Sequence, residues 1–185
     1  MRLFVAVNLS PAVRDAIRGA LDDFPVSNPP WRWAAPETWH LTLKFLGETP
    51  RDDLARVVDG LDALRVHHPA FEVALGSFGA FPNLRSPRVL FFQVDRGAAE
   101  VARLARGVDA AVEHAIGLLP ERRPFHAHAT VARVKAPLSP AIAQRLALVP
   151  PLSHAVTRVS TFDLMESRLE RTGALYSVVK QFALA

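Results

Sequence analysis

Apolar positions along the chain recur with two periods, and segments of the two kinds alternate. "RLFVAVNL" over 2–9 is a run of apolar residues that predicts a buried strand. Val13, Ile17, Leu21 and Phe24 then fall on one helical face, and Ser10-Pro11 ahead of them supplies an N-cap with proline at the first helical position. The proline-rich segment "PVSNPPWRWAAPET" (25–38) predicts a loop. "HLTLKF" from His40 predicts a strand. Thr49-Pro50 repeats the cap before a helix whose apolar stripe is Leu54, Val57, Val58, Leu61 and Leu64, and "FEVALGSF" (71–78) is a strand.

The same order then returns. "RVLFFQV" (88–94) predicts a strand, and Val101, Leu104, Ala105, Val108, Val112 and Ile116 mark a long amphipathic helix. "HATVARV" (128–134) is a strand, Ser139-Pro140 caps a short helix with Ile142 and Leu146, and "TRVSTFDL" (157–164) and "ALYSVVKQFAL" (174–184) are strands. The pattern is an internal repeat, roughly 2–80 and 88–165 plus the C-terminal strand 174–184, within a single domain over 1–185. Two copies are too few for a solenoid. The expected fold is α+β: two pseudo-symmetric lobes, each a small, mainly antiparallel sheet with helices on its outer face, around a central cleft.

Each copy carries a His-x-Thr on an otherwise apolar strand, His40/Thr42 and His128/Thr130. Strand residues two apart share a face, so each histidine points with its threonine and Leu41 or Ala129 points away. By that parity Lys44 joins His40 and Thr42. A single His-x-Thr is a weak motif that a structural histidine satisfies; two at equivalent places of a repeat are much stronger. Two imidazoles facing across a cleft suit cleavage of a phosphodiester, in which a base takes a proton from the nucleophile and an acid gives one to the departing oxygen on the opposite side. The threonine hydroxyls suit the non-bridging oxygens. The repeat makes the two positions nearly equivalent, so the sequence alone leaves acid and base unassigned.

Composition narrows this further. Among 185 residues, 22 are Lys or Arg and 18 are Asp or Glu, for a net charge of +4. Only Lys44, Lys135 and Lys180 are lysines; arginine binds phosphate bidentately and so leans toward phosphate-bearing partners, while a high-GC genome is the blander account of most of the arginines. Cysteine is absent, which excludes disulfides, thiolate metal sites and cysteine nucleophiles. His126-x-His128 is a metal-capable spacing, but without cysteine or a spaced acidic partner no metal site is expected. No apolar run approaches the ~18 residues of a membrane span, and the N-terminal run is too short for a signal peptide. A cytoplasmic monomer is expected.

With these residues in view, the chain resembles the two-histidine (2H) phosphoesterases, and among them the bacterial and archaeal RNA 2′,3′-cyclic phosphodiesterases, also called 2′-5′ RNA ligases. The resemblance covers nearly the whole chain. It runs through "RLFVAVNL", "HLTLKFLGE", "GAFP" followed by "PRVLFFQV", "RPF" before "HATVAR", and the closing "ESRLERTGALYSVVKQF". The extended motifs His-x-Thr-x-x-Phe and His-x-Thr-x-x-Arg are met by His40, Thr42, Phe45 and by His128, Thr130, Arg133. Val131 stands where leucine is usual and Ala127 where proline often precedes the second histidine.

The resemblance implies His40 as general acid at O3′ and His128 as general base toward water. It implies Thr42, Thr130 and Arg133 on the phosphate, Phe45 stacked on the terminal base, and neither metal nor cofactor. The implied reaction is hydrolysis of RNA 2′,3′-cyclic phosphate ends, tRNA fragments among them, to 2′-phosphomonoesters, with 2′-5′ ligation as a reverse-type side activity. One alternative is a related enzyme acting on a small nucleotide cyclic phosphate or 2′-5′ oligoadenylate. Another, of a different class, is a non-catalytic RNA-end-binding protein. Parity raises one difficulty: in an unbroken strand Phe45 and Arg133 point away from their histidines, so each strand must bend after its threonine, with Gly47 a candidate for the bend in the first. Trp31, Arg32 and Trp33 fit a core cap or an RNA-flanking stack.

Overall fold

The apolar run at the N-terminus forms β1 (Arg2–Asn8), with Leu3 through Val7 all buried. It opens a computed structural model that describes residues 1–22, 29–65, 67–170 and 173–185. Ser10 caps α1 (Pro11–Asp22), its Oγ accepting from the Val13 amide at 3.4 Å. Val13 and Ile17 are the buried face and Leu21 packs against the same core. Phe24 and residues 25–28 lie outside the described residues. β3 (His40–Glu48), α2 (Leu54–Arg65) and β4 (Phe71–Phe81) complete the first half. The second half holds β5 (Val89–Val94), α3 (Ala98–Ile116), β6 (His128–Val134) and α4 (Pro140–Leu146), the last capped by Ser139 Oγ on the Ile142 amide.

Three details depart from the periodicity. Inside the proline-rich segment, Trp31–Trp33 is a strand, β2, antiparallel to β6. Its prolines bracket the strand without interrupting it, and the Pro30 carbonyl accepts from the Lys135 amide at 2.7 Å. The run at 157–164 is two strands, β7 (Val156–Val159) and β8 (Thr161–Glu170), parted at Ser160. β7 pairs with β4 and β8 with β1, so the chain changes partners in mid-run. Thr49 does not cap: its hydroxyl bonds back to the Gly47 carbonyl at 3.4 Å, and a 3-10 turn over Arg51–Asp53 leads into α2. β9 (Gly173–Ala183) lies along β8.

The strand order is β7-β4-β5-β6-β3-β1-β8-β9, with β2 added on β6. Read from either end it is the same sequence of roles: β4 answers β8, β5 answers β1, and β6 answers β3. The fold is therefore α+β with two pseudo-symmetric antiparallel lobes, and the dyad passes between β3 and β6, the strands that carry the histidines. Those strands pair at Leu41↔Ala129. Farther along β6, residues Ala132–Val134 pair with β2 instead. β2 thus wedges the two central strands apart and opens the cleft. One core of buried aliphatic and aromatic side chains runs through both halves. Among the described residues no helix is long and apolar enough to cross a membrane.

Candidate active site

Continuing the β3–β6 register one residue each way from Leu41↔Ala129 places His40 opposite Thr130 and Thr42 opposite His128. Leu41 and Ala129 are buried, at 1% and 0% exposure, so the four polar side chains share the opposite face. Cross-strand neighbours lie about 4.5–5.5 Å apart and diagonal ones about 7–8 Å. The histidines occupy one diagonal of this quartet and the threonines the other. That separation lets one phosphate accept hydrogen bonds from both sides. His40, Thr42, Phe45, Thr130 and Arg133 line a cavity of about 850 Å³. His128 lines a neighbouring cavity of about 380 Å³.

The imidazoles are held alike. His40 Nδ1 lies 2.6 Å from the Thr38 carbonyl and His128 Nδ1 lies 2.7 Å from the His126 carbonyl, each two residues upstream. A carbonyl only accepts, so both Nδ1 atoms carry hydrogen and both Nε2 atoms are the titrating nitrogens. His40 Nε2 is 2.9 Å from Thr42 Oγ1. With His40 neutral, the hydroxyl donates to Nε2. Protonation at Nε2 reverses that bond and frees the hydroxyl hydrogen for another acceptor. Rings pack on each imidazole: Phe4 and Tyr176 at 5.0 and 5.5 Å from His40, Phe81 and Phe91 at 5.1 and 5.2 Å from His128.

That packing sets the titration. Burial pushes both histidines below the ordinary 6.5, against the raising effect of the carbonyl bonds. The charge on His128 lowers His40 further, as does Arg14, and the His126 charge lowers His128. Both imidazoles are therefore neutral in the free protein at pH 7, and a bound phosphate anion favours their protonation. We expect kcat/KM, which reports the free protein, to peak below pH 6.5 and kcat to peak at higher pH. A kcat/KM maximum above pH 7 contradicts this assignment. For stability the sign is the same in both: folded values below unfolded ones mean stability is lost as pH falls through 6.5, because the unfolded chain takes up protons first.

The parity difficulty is resolved by two matched β-bulges. In the β1–β3 ladder Val5 pairs with Lys44 and Ala6 with Thr42, so Leu43 is the extra residue. In the β5–β6 ladder Leu90 pairs with Ala132 and Phe91 with Thr130, so Val131 is extra. Each bulge follows its threonine and inverts the alternation. Leu43 and Lys44 are both buried, as are Val131 and Ala132. Phe45, 58% exposed, and Arg133 swing onto the histidine face. Gly47, at φ 72°, serves a second irregularity at Leu46 and not this one.

The same inversion removes Lys44 from the site. Its side chain is 2% exposed, and Nζ donates to Asp109 Oδ1 at 2.5 Å and to the Leu119 carbonyl at 3.3 Å. Lys44 is a buried tether from β3 to α3 and lines neither cavity. The tryptophan segment divides. Trp31 is buried at 4%, while Arg32 and Trp33 line the large cavity. Arg32 stands directly opposite Arg133 across the β2–β6 ladder. Tyr176 and Phe4, which line the same cavity against His40, were not signalled by any motif. Each lies in a segment that carries the family resemblance, "RLFVAVNL" and "ESRLERTGALYSVVKQF", but within a strand nothing set it apart from its apolar neighbours.

A curled antiparallel sheet carrying a doubled histidine–threonine pair defines a class of protein. The LigT-like phosphoesterase family matches residues 7–91 and again 93–176, one match to each half, and the chain belongs to that family. It is 37% identical to the RNA 2′,3′-cyclic phosphodiesterase of Thermus thermophilus, over 100% of this chain and 90% of that protein. With the RNA 2′,3′-cyclic phosphodiesterase of Archaeoglobus fulgidus the identity is 33%, over 98% and 99%. Among solved structures, TT0787 of Thermus thermophilus superposes with TM-score 0.84 at 35% identity, covering 100% of this chain and 98% of that one. Escherichia coli LigT complexed with 3′-AMP superposes at 0.81 and 27% identity, covering 99% and 97%.

Proposed function

We propose that this protein hydrolyses 2′,3′-cyclic phosphate ends of RNA to 2′-phosphomonoesters, without metal or other cofactor, as one bilobal domain acting as a monomer in the cytoplasm. The observation that carries this reading is the quartet: two imidazoles on one diagonal, both tied at Nδ1 with Nε2 left to titrate. The relatives named above for this activity support it over nearly the full chain.

Water approaches phosphorus on the His128 side and gives its proton to Nε2. The P–O3′ bond breaks in line, and His40 Nε2 hands its proton to O3′. Thr42 and Thr130 donate to the non-bridging oxygens. Arg133 adds charge there, and Phe45 stacks on the terminal base. Proton exchange with solvent then restores both histidines. The large cavity favours RNA over a free cyclic mononucleotide. Besides His40, Thr42 and Thr130 it is lined by Arg2, Arg32 and Trp33, cationic and aromatic side chains of the kind that hold a nucleic-acid strand. Comparable turnover of mononucleotide and oligonucleotide cyclic phosphates would favour the small substrate.

The test is incubation of the purified protein with a 2′,3′-cyclic-phosphate-ended RNA in the presence of a chelator. We expect undiminished turnover with the phosphate on the 2′-hydroxyl. A 3′-phosphate product reverses the placement of the leaving oxygen. Loss of activity to the chelator moves the chemistry elsewhere, and tight binding without product marks an RNA-end-binding protein.

A further inference from the structure

In the proposed hydrolysis the two oxygens that close the cyclic phosphate have different fates. O3′ leaves along the line from His128 to His40, and O2′ keeps the phosphate. The two are otherwise near twins, each bridging the ribose to phosphorus. The quartet that receives them is nearly symmetric as well. Its histidines sit on one diagonal and its threonines on the other, and both imidazoles are tied at Nδ1 to a carbonyl two residues upstream. A base stacked on Phe45 does not settle the matter, because the ribose still turns about its glycosidic bond. Telling O2′ from O3′ requires a polar group that is present beside one histidine only.

The rings around the histidines supply it. Phe81 meets His128 edge-on, with centroids 5.1 Å apart and planes at 80°. Tyr176 meets His40 in almost the same way, at 5.5 Å and 81°. These matching contacts come from strands that the dyad does not exchange, β4 and β9. Of the rings described against the two histidines, Phe4, Phe81, Phe91 and Tyr176, only Tyr176 carries a polar atom. It is the chain's single tyrosine. Packing does not consume the hydroxyl. The half-buried ring rests on Phe4, Ala6 and Met165 and lines the large cavity beside His40 and Phe45. Among the described residues the Tyr176 hydroxyl has no hydrogen-bond partner. Phe4 lies against both the Tyr176 ring, at 5.0 Å, and Phe45, at 6.1 Å. A ribose that joins a phosphate in the quartet to a base on Phe45 therefore passes beside Tyr176.

We propose that the Tyr176 hydroxyl donates to O2′ of the bound cyclic phosphate and so turns O3′ toward His40, which makes Tyr176 the residue that decides which oxygen keeps the phosphate. The inference rests on the cyclic-phosphodiesterase reading. In the cyclic phosphate O2′ and O3′ only accept hydrogen bonds, and a phenol supplies the donor. The reaction itself gains no step: water still attacks phosphorus, the P–O3′ bond still breaks, and the proton of His40 still goes to O3′. The hydroxyl selects between two orientations of the ribose. With O2′ on Tyr176 the product is the 2′-phosphate. With the ribose turned over, O2′ faces His40 and leaves, and the product is the 3′-phosphate.

The experiment gives a labelled 2′,3′-cyclic-phosphate-ended RNA to the protein and to Tyr176→Phe, and measures formation of the 2′- and the 3′-phosphate separately. Phenylalanine keeps the ring against Phe4 and His40 and removes the hydroxyl alone. We expect kcat/KM for the 2′-phosphate to fall about fivefold, the effect of one lost hydrogen bond, while formation of the 3′-phosphate does not fall. The ratio of the two products then shifts about fivefold toward the 3′-phosphate. That ratio does not depend on how much of the variant is folded. A ring that serves packing alone slows both products together, so an unchanged ratio overturns the proposal whether or not the rates fall. A fall of less than twofold in 2′-phosphate formation overturns it as well. Absence of both products with the unaltered protein overturns the cyclic-phosphate reading itself, and the role of Tyr176 with it.

Discussion

Replacing His40 or His128 with alanine slows opening of a 2′,3′-cyclic phosphate by about 10²–10⁴-fold, the range for loss of a positioned proton donor or acceptor. The two losses should not multiply. In the proposed mechanism each histidine acts on the same transition state, one taking a proton while the other gives one, and a site without either partner no longer benefits from the other. The double variant therefore retains more activity than the product of the single losses. Substrate binding should fall much less than turnover, because Thr42, Thr130, Arg133 and Phe45 still line the cleft. Single-turnover kinetics on the three variants checks this. Losses under tenfold in either single variant, or strict multiplication in the double, would remove the pair from the chemistry. His40→Ala also strips the Thr42 hydroxyl of its partner at 2.9 Å, so Thr42→Val in the same background separates that contribution.

Asp109→Ala lowers stability by about 3 kcal/mol, near the lower end for breaking a buried ion pair. The reason is the partner left behind. Lys44 is 2% exposed, and without the carboxylate at 2.5 Å its ammonium keeps, among the described residues, the Leu119 carbonyl at 3.3 Å. The Asp109 side chain is 27% exposed, so water reaches the vacated place and holds the loss at that lower end. Urea denaturation gives the measurement, and a change under 1 kcal/mol would show that the pair carries little. Replacing both partners by apolar residues, Lys44→Met with Asp109→Leu, should recover most of the loss, since no charge is left stranded. Lys44 also follows the Leu43 bulge directly, so its anchorage on α3 helps fix the inversion that presents Phe45. In Asp109→Ala we expect weaker substrate binding to accompany the lost stability.

The elements that carry chemistry were legible because they depend on local rules. A period of two identified the strands, and the repetition of His-x-Thr lifted a weak motif to a strong one. The caps at Ser10 and Ser139 were readable because an N-cap is a contact within four residues. Lys44 was assigned to the wrong face for a definite reason. Alternation holds only while a strand is unbulged, and the bulge at Leu43 is fixed by its register with β1. Strand β2 was hidden by its prolines, which disfavour a strand only when they fall inside it. The split at Ser160 was invisible because β7 and β8 are equally apolar and differ only in their partners.

The amino-acid sequence alone determined that two similar halves exist, which apolar stripes of the helices and strands face the core, and that two histidine–threonine pairs occupy equivalent places. Those follow from patterns that each segment carries within itself. Tertiary structure alone decided that the pairs meet as one quartet across Leu41↔Ala129, that Phe45 and Arg133 join them, and that a second cavity opens beside His128. The physical reason is that pairing between strands about ninety residues apart, and the bulges that pairing imposes, are set by how whole lobes pack and not by any property of a single strand.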